Sequence, residues 1–521
     1  MIEQRRIPLL VCGILVVALG ALLWSTALSS ADASGTVLYV APLPYGDDDN
    51  PCSLGLPCET LQHAVDVANK GDEIRAAEGI YTGVQARGEM TQVLYISTSV
   101  SIRGGYSADF GTWDPLAHPT TLDAEGEGRV VSIVGWGITP TLDSLVITGG
   151  DATGITTHCP AAGGQSDGCG GGIFVHQAEA FIVNNVITNN VAGVSVDSRS
   201  ASGGGICLSY ATGSVISDNL IIGNFASLGN RGMGGGIHLS YPYDVQVVSN
   251  RLIDNVATTN ASLAGWGGGI AIEGSGAAGT ISGNLIEGNQ TNGNMSGYGA
   301  GIYHERGAST MTGNQVTGNR GTNAVQLGAY EGGRFEANQV ISNSTDVGIR
   351  LTSGSGFVPT LANNIVARSG EVSLGVEAYS GSLTARLLHN TLVGAGTGYG
   401  VYVGTANVTL RLTNTVVASH TWGITSAMPA MSTVLPDHTL FWNVGQDGIS
   451  GADPVYGDPA FLDPEGGDYH LGFNSAAIDA AVDAGEDRDV DDDLRPIGPA
   501  PDIGADEAWR WIFVPLILRG G

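Results

Sequence analysis

The chain has 521 residues, of which 80 are glycine, 42% are apolar and only 14% are charged. Apolar residues that return at fixed intervals argue against an intrinsically disordered chain, which lacks the hydrophobic residues needed for a core. The formal net charge of −29 argues against nucleic-acid binding, because nucleic-acid-binding proteins present a basic surface to phosphate groups.

The N-terminus predicts a secretory signal, residues 1–33. Arg5 and Arg6 precede an apolar run over residues 7–24, and Ala31 and Ala33 place small residues where a signal peptidase reads them. Cleavage after Ala33 would release a secreted or cell-surface protein. The run is also long enough to span a bilayer, so an uncleaved N-terminal membrane anchor stays open as the alternative.

Residues 34–150 are predicted to form an N-terminal cap and the first turns of a coil of strands. Thr60 is a good N-cap for an amphipathic helix that continues to residue 69. A short helix ahead of stacked strands would cover an otherwise open core end. Strands are expected at residues 37–41, 73–76, 92–96, 100–104, 129–134 and 142–148.

The cysteines indicate an oxidising compartment. Two local disulfides are expected, Cys52 with Cys58 and Cys159 with Cys169, and Cys207 is left over. Metal binding by these cysteines is disfavoured, because His158 is the only histidine beside them and completes no known ligand spacing.

Residues 151–433 repeat one short pattern ten times. A glycine-rich approach ends in an aliphatic anchor, an Asn follows 12 to 14 residues later, and another aliphatic residue stands two positions after that Asn. The anchors are Ile173, Ile206, Ile237, Ile270, Ile302, Val325, Ile349, Val376, Val401 and Ile424. The asparagines are Asn185, Asn219, Asn250, Asn284, Asn314, Asn338, Asn363, Asn390 and Asn414.

This period is too short for a propeller blade, and its strand-forming residues exclude a helical solenoid. It fits a coil with two or three short strands per turn, stacked in parallel about 4.8 Å apart. The aliphatic residues would then form columns in the interior. The stacked asparagines would form a ladder of side-chain amide hydrogen bonds.

The length variation is concentrated at one corner of the coil. The distance from Asn to the next anchor is 18 to 21 residues in the first four turns and 10 to 13 residues afterwards. The long loops carry Trp266 and Tyr298. Insertions on one face of a repeat protein are typical of a binding face.

Strand alternation sends the residues one and three after each anchor outward. Glu273 and Glu305 then fall in one column on adjacent turns, where two carboxylates could act as an acid/base pair or hold calcium. The side chains nearby that are suited to sugar binding are His238, Tyr303, Arg350 and Glu377. The alternative is a solvated sheet face that carries ordinary polar residues. His304 departs from the pattern, because it occupies an inward position.

Residues 434–507 are rich in Pro, Gly and Asp, and predict a loop-rich C-terminal cap after a last strand at residues 438–442. Residues 508–521 form an apolar tail that is too short to span a membrane. Four carboxylates alternate at Asp487, Asp489, Asp491 and Asp493. They could wrap a calcium ion, although the run lacks the glycine and terminal Glu of an EF-hand loop, so a solvated acidic turn is the alternative.

With these features in view, residues 37–507 resemble the secreted right-handed parallel β-helix proteins of the pectin-lyase-like superfamily. Residues 51–83, with TLQHAVDVA and GDEIRAAEGIYTG, resemble the cap that begins many of them. The motifs DPAFLDP, DYHLGFNSAAID and DIGADE resemble the terminal region of bacterial surface β-helix proteins whose anchoring varies. Ser475-Ala476-Ala477-Ile478-Asp479 departs from their usual Ser-Pro-Ala-Ile-Asp.

The resemblance implies an all-β, right-handed parallel β-helix of about nine to twelve turns. It does not define an activity, because the superfamily includes lyases, hydrolases, epimerases and proteins with no known reaction. The motifs of polygalacturonases and alginate epimerases are missing from the sequence.

The favoured interpretation is a monomeric, non-enzymatic adhesion or glycan-binding protein whose partner is a polysaccharide or cell-envelope glycan. The alternative is a polysaccharide lyase or glycoside hydrolase acting on acidic glycans. In that case Arg350 would hold a uronate carboxylate and Tyr303 would offer a stacking face. Calcium is the one cofactor that these residues suggest.

Overall fold

The computed structural model of the protein describes residues 35–509, apart from residues 160–165, 195–198, 275–277, 293–296, 329–331, 353–357 and 380. The predicted signal segment and all but the first two residues of the predicted apolar tail lie outside the described residues. Within the described part of the chain, no helix is long and apolar enough to cross a membrane.

The chain winds through three long sheets, each with fourteen strands among the described residues. Sheet 1 contains Val37–Val40, Glu73–Ala77, Ser101–Tyr106, Thr141–Asp143, Phe181–Val183, Val215–Ser217, Tyr243–Val248, Ala278–Ser282, Thr310–Thr312, Arg334–Glu336, Thr360–Ala362, Leu383–Leu388, Val408–Thr413 and Thr433–Asp437. Sheet 2 contains Gly79–Tyr81, Thr120–Asp123, Val146–Thr148, Val186–Thr188, Leu220–Ile222, Arg251–Ile253, Leu285–Glu287, Gln315–Thr317, Gln339–Ile341, Ile365–Ala367, Thr391–Val393, Val416–Ala418, Leu440–Trp442 and Val455–Tyr456. Sheet 3 contains Gln85–Arg87, Met90–Ile96, Arg129–Val134, Ile173–His176, Ile206–Ser209, Ile237–Ser240, Ile270–Glu273, Ile302–His304, Asn323–Leu327, Val347–Thr352, Val372–Glu377, Tyr399–Val403, Trp422–Ser426 and Gln446–Gly448.

Neighbouring strands of these sheets pair in parallel, except for the first pair of sheet 3, which is antiparallel. The predicted coil of stacked parallel strands is therefore confirmed, with three strands in each complete turn. Each turn places aliphatic side chains above those of the turn before, as Ile206 lies beside Ile173 and Ile237. All three are fully buried, so the aliphatic columns form one continuous core.

The predicted asparagine ladder is present in the interior. Asn219 Nδ2 donates to Asn250 Oδ1 at 2.9 Å, and Asn250 Nδ2 donates to Asn284 Oδ1 at 3.1 Å. The ladder as observed consists of Asn185, Asn219, Asn250, Asn284, Asn314, Asn338, Asn364 and Asn390. A second ladder, which the sequence reading missed, consists of Asn190, Asn224, Asn255, Asn289, Asn319 and Asn343 and ends on Ser369.

Three repeat positions were predicted wrongly in the last turns. Asn363 directly precedes the ladder residue Asn364, and Asn414 directly precedes Thr415, which stands at the next ladder position; both asparagines have left-handed backbone angles, φ 53° and 57°. Asn tolerates that conformation better than most residues, so it serves at the turn as well as in the ladder. The anchor that pairs with Ile349 is Leu374 and not Val376, because the strand begins earlier than the spacing suggested.

The N-terminal cap begins with strand Val37–Val40 and a helix, Leu61–Val67. The Thr60 hydroxyl accepts a hydrogen bond from the His63 amide at 3.1 Å, which confirms Thr60 as the N-cap. Leu61, Ala64 and Val65 face the core. The two expected disulfides, Cys52–Cys58 and Cys159–Cys169, are present. Cys207 is buried as a free thiol.

The long corner loops of the first repeats are themselves ordered into short parallel strands. One small sheet contains Ser166–Cys169, Ser200–Ser202 and Gly232–Met233, and another contains Val191–Gly193, Phe225–Ser227 and Val256–Thr258. Trp266 continues the first of them through single bridges to Met233 and Tyr298. The insertions are therefore stacked like the turns from which they project.

The C-terminal block lies mainly along the flank of the last turns, after residues 446–456 have added the final strands. It contains an antiparallel hairpin, Phe461–Asp463 with Asp468–Leu471. Its apolar side chains pack on the outer surface of sheet 2, where Tyr469, Leu471 and Ile503 join a buried cluster with sheet residues. The sheet residues of that cluster include Ile365, Val393, Val416 and Leu440.

A buried ion pair holds the C-terminal block together. Arg495 Nη1 lies 3.1 Å from Glu507 Oε2, and the two side chains are 0% and 1% exposed. The same guanidinium donates to the Asp502 carbonyl and contacts His389 of the coil. The block is therefore fastened to the coil by polar contacts as well as by apolar packing.

Candidate functional site

The outward columns of sheet 3 were predicted to lie at the surface, and this is wrong for the first turns. Phe174, Cys207, His238 and Ala271 follow one another in the predicted outward column, and each is fully buried. The corner loops and the Cys159–Cys169 disulfide cover this part of the sheet. The surface opens only from the turn of Tyr303 onward, because the later corners are short.

His238 lies beneath this cover, between a thiol and a carboxylate. Its Nδ1 is 3.7 Å from Cys207 Sγ, and its Nε2 is 3.5 Å from Glu273 Oε1. Burial lowers the pKa of His238, but the facing Glu273 carboxylate more than offsets this, and the pKa is raised. His238 is therefore a cationic partner of Glu273, without the access to solvent that a sugar-binding residue needs.

Glu273 and Glu305 occupy the column predicted for them. Ser240 pairs with Glu273, and the Glu305 amide donates to the Ile272 carbonyl, which places the two carboxylates on adjacent turns. Glu273 is largely buried and accepts a hydrogen bond from the Ser240 hydroxyl at 3.2 Å. Glu305 is exposed. His304, which directly precedes Glu305 and was predicted to point inward, is fully buried.

The pKa values of these two carboxyl groups move in opposite directions. Burial raises the pKa of Glu273, but His238 and Ser240 outweigh burial and hold it below its ordinary value. Although Glu305 is exposed, neighbouring protein atoms displace part of its water, and this desolvation together with the negative charge of Glu273 raises its pKa. The pair therefore consists of one carboxylate held ionised and one that takes up a proton more readily.

A groove lies beside these carboxylates, where the long loops end. It measures about 220 Å³ and contains four of the residues that the sequence singled out, Trp266, Tyr298, Tyr303 and Arg350. Trp266 and Tyr298 lie on neighbouring loops that are joined by a parallel backbone bridge, whereas Tyr303 and Arg350 belong to strands of sheet 3. We call this the aromatic groove; its lining residues are Trp266, Tyr298, Tyr303, Gln326, Arg350, Thr352 and Tyr379.

Arg350 is the central polar group of the aromatic groove. Its Nε donates to Glu377 Oε2 at 2.9 Å, and its Nη2 contacts both Glu377 and the Tyr379 hydroxyl. Its guanidinium carbon lies 5.4 Å from the Tyr298 ring centre and 5.6 Å from that of Tyr379. Two aromatic rings and a carboxylate therefore fix the guanidinium in place.

Glu377 reaches Arg350 from a position other than the predicted one. It pairs with Thr352 in the second outward column and not with Arg350 in the first, because the anchor of its turn is Leu374. Tyr379 follows it at the end of the strand. The sequence did not assign Tyr379 to the site, since residues beyond the strand end at Glu377 have no fixed direction in the alternation.

The four aspartates considered for calcium do not converge. Asp489 is buried and accepts hydrogen bonds from the amides of Asp491, Asp493 and Glu507. The other three side chains turn to different neighbours: Asp491 binds His470, Asp493 accepts from the Trp509 indole, and Asp487 lines a charged groove of about 590 Å³ beside Arg334. The structure thus shows a hydrogen-bonded acidic turn, and no common point for an ion among these four.

The comparisons with known proteins agree with the observed coil of stacked parallel strands. A family profile described as "Right handed beta helix region" matches residues 165–303. The described residues have the fold of a right-handed parallel β-helix. The fold implied by the resemblance to the pectin-lyase-like superfamily is confirmed in this way. None of the curated proteins matches the sequence significantly.

Several solved structures resemble the β-helix protein at low identity. A pectate lyase is 12% identical, with 92% of this chain and 100% of that chain covered and a TM-score of 0.42. An alginate lyase from Paenibacillus sp. str. FPU-7 is 15% identical, with 73% and 95% covered and a TM-score of 0.29. The Dettilon tailspike protein is 13% identical, with 77% and 68% covered and a TM-score of 0.34. At these values the likeness does not transfer an activity or a site.

Proposed function

We propose that the aromatic groove binds a neutral sugar unit of a polysaccharide or cell-envelope glycan, and that the protein is an extracellular glycan-binding module. The observation that carries the proposal is a groove lined by four aromatic side chains beside one fixed arginine, whose guanidinium lies against the rings of Tyr298 and Tyr379. Trp266 and Tyr298 come from loops, whereas Tyr303 and Tyr379 come from the sheet and its edge.

The groove offers what a sugar ring requires. Aromatic rings present an apolar face to the C–H groups of a pyranose, while tyrosine hydroxyls and the guanidinium offer polar groups to its hydroxyls. Pockets for drug-sized ligands measure roughly 300–1,000 Å³. A groove of about 220 Å³ therefore suits one sugar unit, and the neighbouring units would lie over the open part of sheet 3.

The charges favour a neutral sugar over the uronate considered from the sequence. The Arg350 charge is already balanced by Glu377, with side chains 16% and 22% exposed. Glu305 adds a carboxylate near the groove, and the whole chain carries −29. Among the described residues that line the groove, Arg350 is the one cation, and its charge is already paired, so a uronate gains no net attraction from it.

A second candidate function is glycoside hydrolysis, which the two glutamates favour. Glycosidases use a pair of carboxyl groups, one holding a proton for the leaving group and one ionised. Glu305, with its raised pKa, fits the acid, and Glu273, with its lowered pKa, fits the ionised partner. The contacts of Glu273 to His238 and Ser240 count against this candidate, since they occupy the carboxylate that would have to act.

Binding is tested with a glycan array that contains neutral and uronate-bearing glycans, followed by calorimetric titration of the strongest ligand. Tyr379→Ala should weaken binding by about 1–2 kcal/mol, or about 5- to 30-fold, as expected for an aromatic contact residue. Tyr45→Ala is the matched control, because Tyr45 lies at the other end of the coil and is 64% exposed, against 63% for Tyr379. Equal affinity in all three proteins would refute the proposed groove.

Hydrolysis is tested separately, by incubating the same ligand with the protein and separating the products by chromatography. Products that disappear in Glu305→Gln would establish the second candidate. An intact ligand, bound with unchanged affinity by Glu305→Gln, would support the binding module instead.

A further inference from the structure

A histidine in the C-terminal block is held between carboxylates, far along the chain from the aromatic groove. His470 Nδ1 lies 2.5 Å from Asp468 Oδ1, and His470 Nε2 lies 2.6 Å from Asp491 Oδ2. The imidazole is about one-third exposed, so an ion in solution can reach it. Both nitrogens have fixed partners, which fixes the direction of the ring.

Asp506 brings a third ligand to the same point. One ligand atom from each of His470, Asp491 and Asp506 lies within 4.8 Å of the other two. Asp506 is only 7% exposed; its Oδ2 accepts a hydrogen bond from the Leu471 amide at 2.6 Å. Within the described part of the chain, no group donates to its Oδ1. This oxygen is therefore free to contact a cation.

The charges around His470 also favour a cation. Asp468, Asp491 and Asp506 lie around one imidazole, and the buried guanidinium of Arg495 in the same block is paired with Glu507. The cluster therefore holds more negative than positive charge at a partly exposed position. A divalent ion would offset that excess.

We propose that His470 Nε2, Asp491 and Asp506 bind a divalent transition-metal ion such as Zn²⁺. One imidazole nitrogen with two carboxylates is a donor set that Zn²⁺ accepts, whereas Ca²⁺ prefers oxygen ligands throughout. Asp468 is a positioning residue, because a carboxylate on the far nitrogen of a metal-binding histidine fixes its tautomer and orientation.

The ion has a structural role in this site. Its three ligands come from three segments of the C-terminal block: His470 from strand Asp468–Leu471, Asp491 from the acidic turn and Asp506 from the segment that follows Ile503. Ile503 and Leu471 pack on sheet 2. The metal ion thus joins the segments that fasten the block to the flank of the coil, and its binding stabilises the folded protein.

The test is calorimetric titration of the chelator-treated protein with Zn²⁺, and separately with Ca²⁺. Wild type should bind one Zn²⁺ per chain at this site. His470→Gln and Asp491→Asn should each weaken that binding by more than about tenfold, and Asp468→Asn by about 10- to 100-fold. Asp487→Asn is the control, because Asp487 belongs to the same acidic turn but lies outside the three-ligand group. Circular dichroism checks that each variant is folded.

A second readout is the unfolding temperature. Zn²⁺ should raise it in wild type and in Asp487→Asn, and leave it unchanged in His470→Gln. Zn²⁺ binding that persists undiminished in both His470→Gln and Asp491→Asn would overturn the proposal. Tight Ca²⁺ binding that is lost in Asp487→Asn would also overturn it and point to the acidic turn. Neither result depends on glycan binding at the aromatic groove.

Discussion

Glu377→Gln tests how the aromatic groove selects its ligand. The substitution keeps the shape of the side chain and a hydrogen-bond acceptor for Arg350, but removes the negative charge that now balances the guanidinium. Arg350 would remain between the rings of Tyr298 and Tyr379, 5.4 and 5.6 Å from their centres. The groove should then accept a uronate in place of a neutral sugar.

The size of the effect follows from the exposure of the pair. Two charges 4 Å apart interact by roughly 4 kcal/mol at the effective dielectric constant near a protein surface. Exposed pairs measured in solution contribute only about 0–1 kcal/mol. The Arg350 and Glu377 side chains are 16% and 22% exposed and lie between these limits. We expect a gain of about 1–2 kcal/mol for a uronate over its neutral analogue, or about 5- to 30-fold in relative affinity.

The assay is competitive titration with a neutral oligosaccharide and its uronate counterpart, at low and at high salt. The preference for the uronate should appear in Glu377→Gln and shrink at high salt, because charges at a partly exposed site are screened. Glu336→Gln is the control, since Glu336 also pairs with an arginine, Arg334, away from the groove. A preference that is unchanged in Glu377→Gln would show that Arg350 does not face the ligand.

Three further predictions concern the scaffold. Asn250→Ala should destabilise the protein by about 3 kcal/mol in urea unfolding, because it leaves several buried amide and carbonyl groups of the ladder without hydrogen bonds. A loss of stability under about 1 kcal/mol would contradict a stabilising role for the ladder. The His238–Glu273 pair should stabilise the protein most between pH 4.5 and 6.5. Its contribution should fall as pH rises from 6.5 through the raised pKa of His238 and as pH drops from 4.5 through the lowered pKa of Glu273. The urea midpoints of His238→Gln and wild type should therefore differ most in that window and converge only beyond those two shifted pKa values. Glu507→Gln should lower the free energy of unfolding by about 3–5 kcal/mol, since it leaves the Arg495 charge buried without a partner. The variant should also make the C-terminal block susceptible to limited proteolysis. Unchanged protease resistance would argue against the idea that this ion pair holds the block in place.

The coil itself could be predicted from the sequence because it repeats. Each turn buries an aliphatic residue at the same place. Ile206, Ile237 and Ile270 therefore mark the equivalent strand in three successive turns. The ladder residues were misassigned where Asn is found both at the turn and in the ladder. Asn363 and Asn364 are adjacent and only the second belongs to the ladder, a distinction made by the left-handed backbone of the first.

The candidate site was predictable only in part. Alternation along the strands placed Tyr303 and Arg350 on the outer face, and loop length pointed to Trp266 and Tyr298. Alternation could not show that His238 is covered, because the cover comes from loops remote in sequence. The His470 cluster was missed altogether, since it joins three segments that no periodic pattern relates.

The central claim is that the protein binds a neutral glycan at the aromatic groove, and titration of wild type, Tyr298→Ala and Tyr45→Ala with the strongest neutral ligand tests it most directly. Tyr298 touches Arg350 and lines the groove, whereas Tyr45 lies in the N-terminal cap. The account predicts that affinity falls by about 5- to 30-fold in Tyr298→Ala and is unchanged in Tyr45→Ala. The same affinity for all three proteins, or no binding of any neutral glycan by wild type, would contradict it.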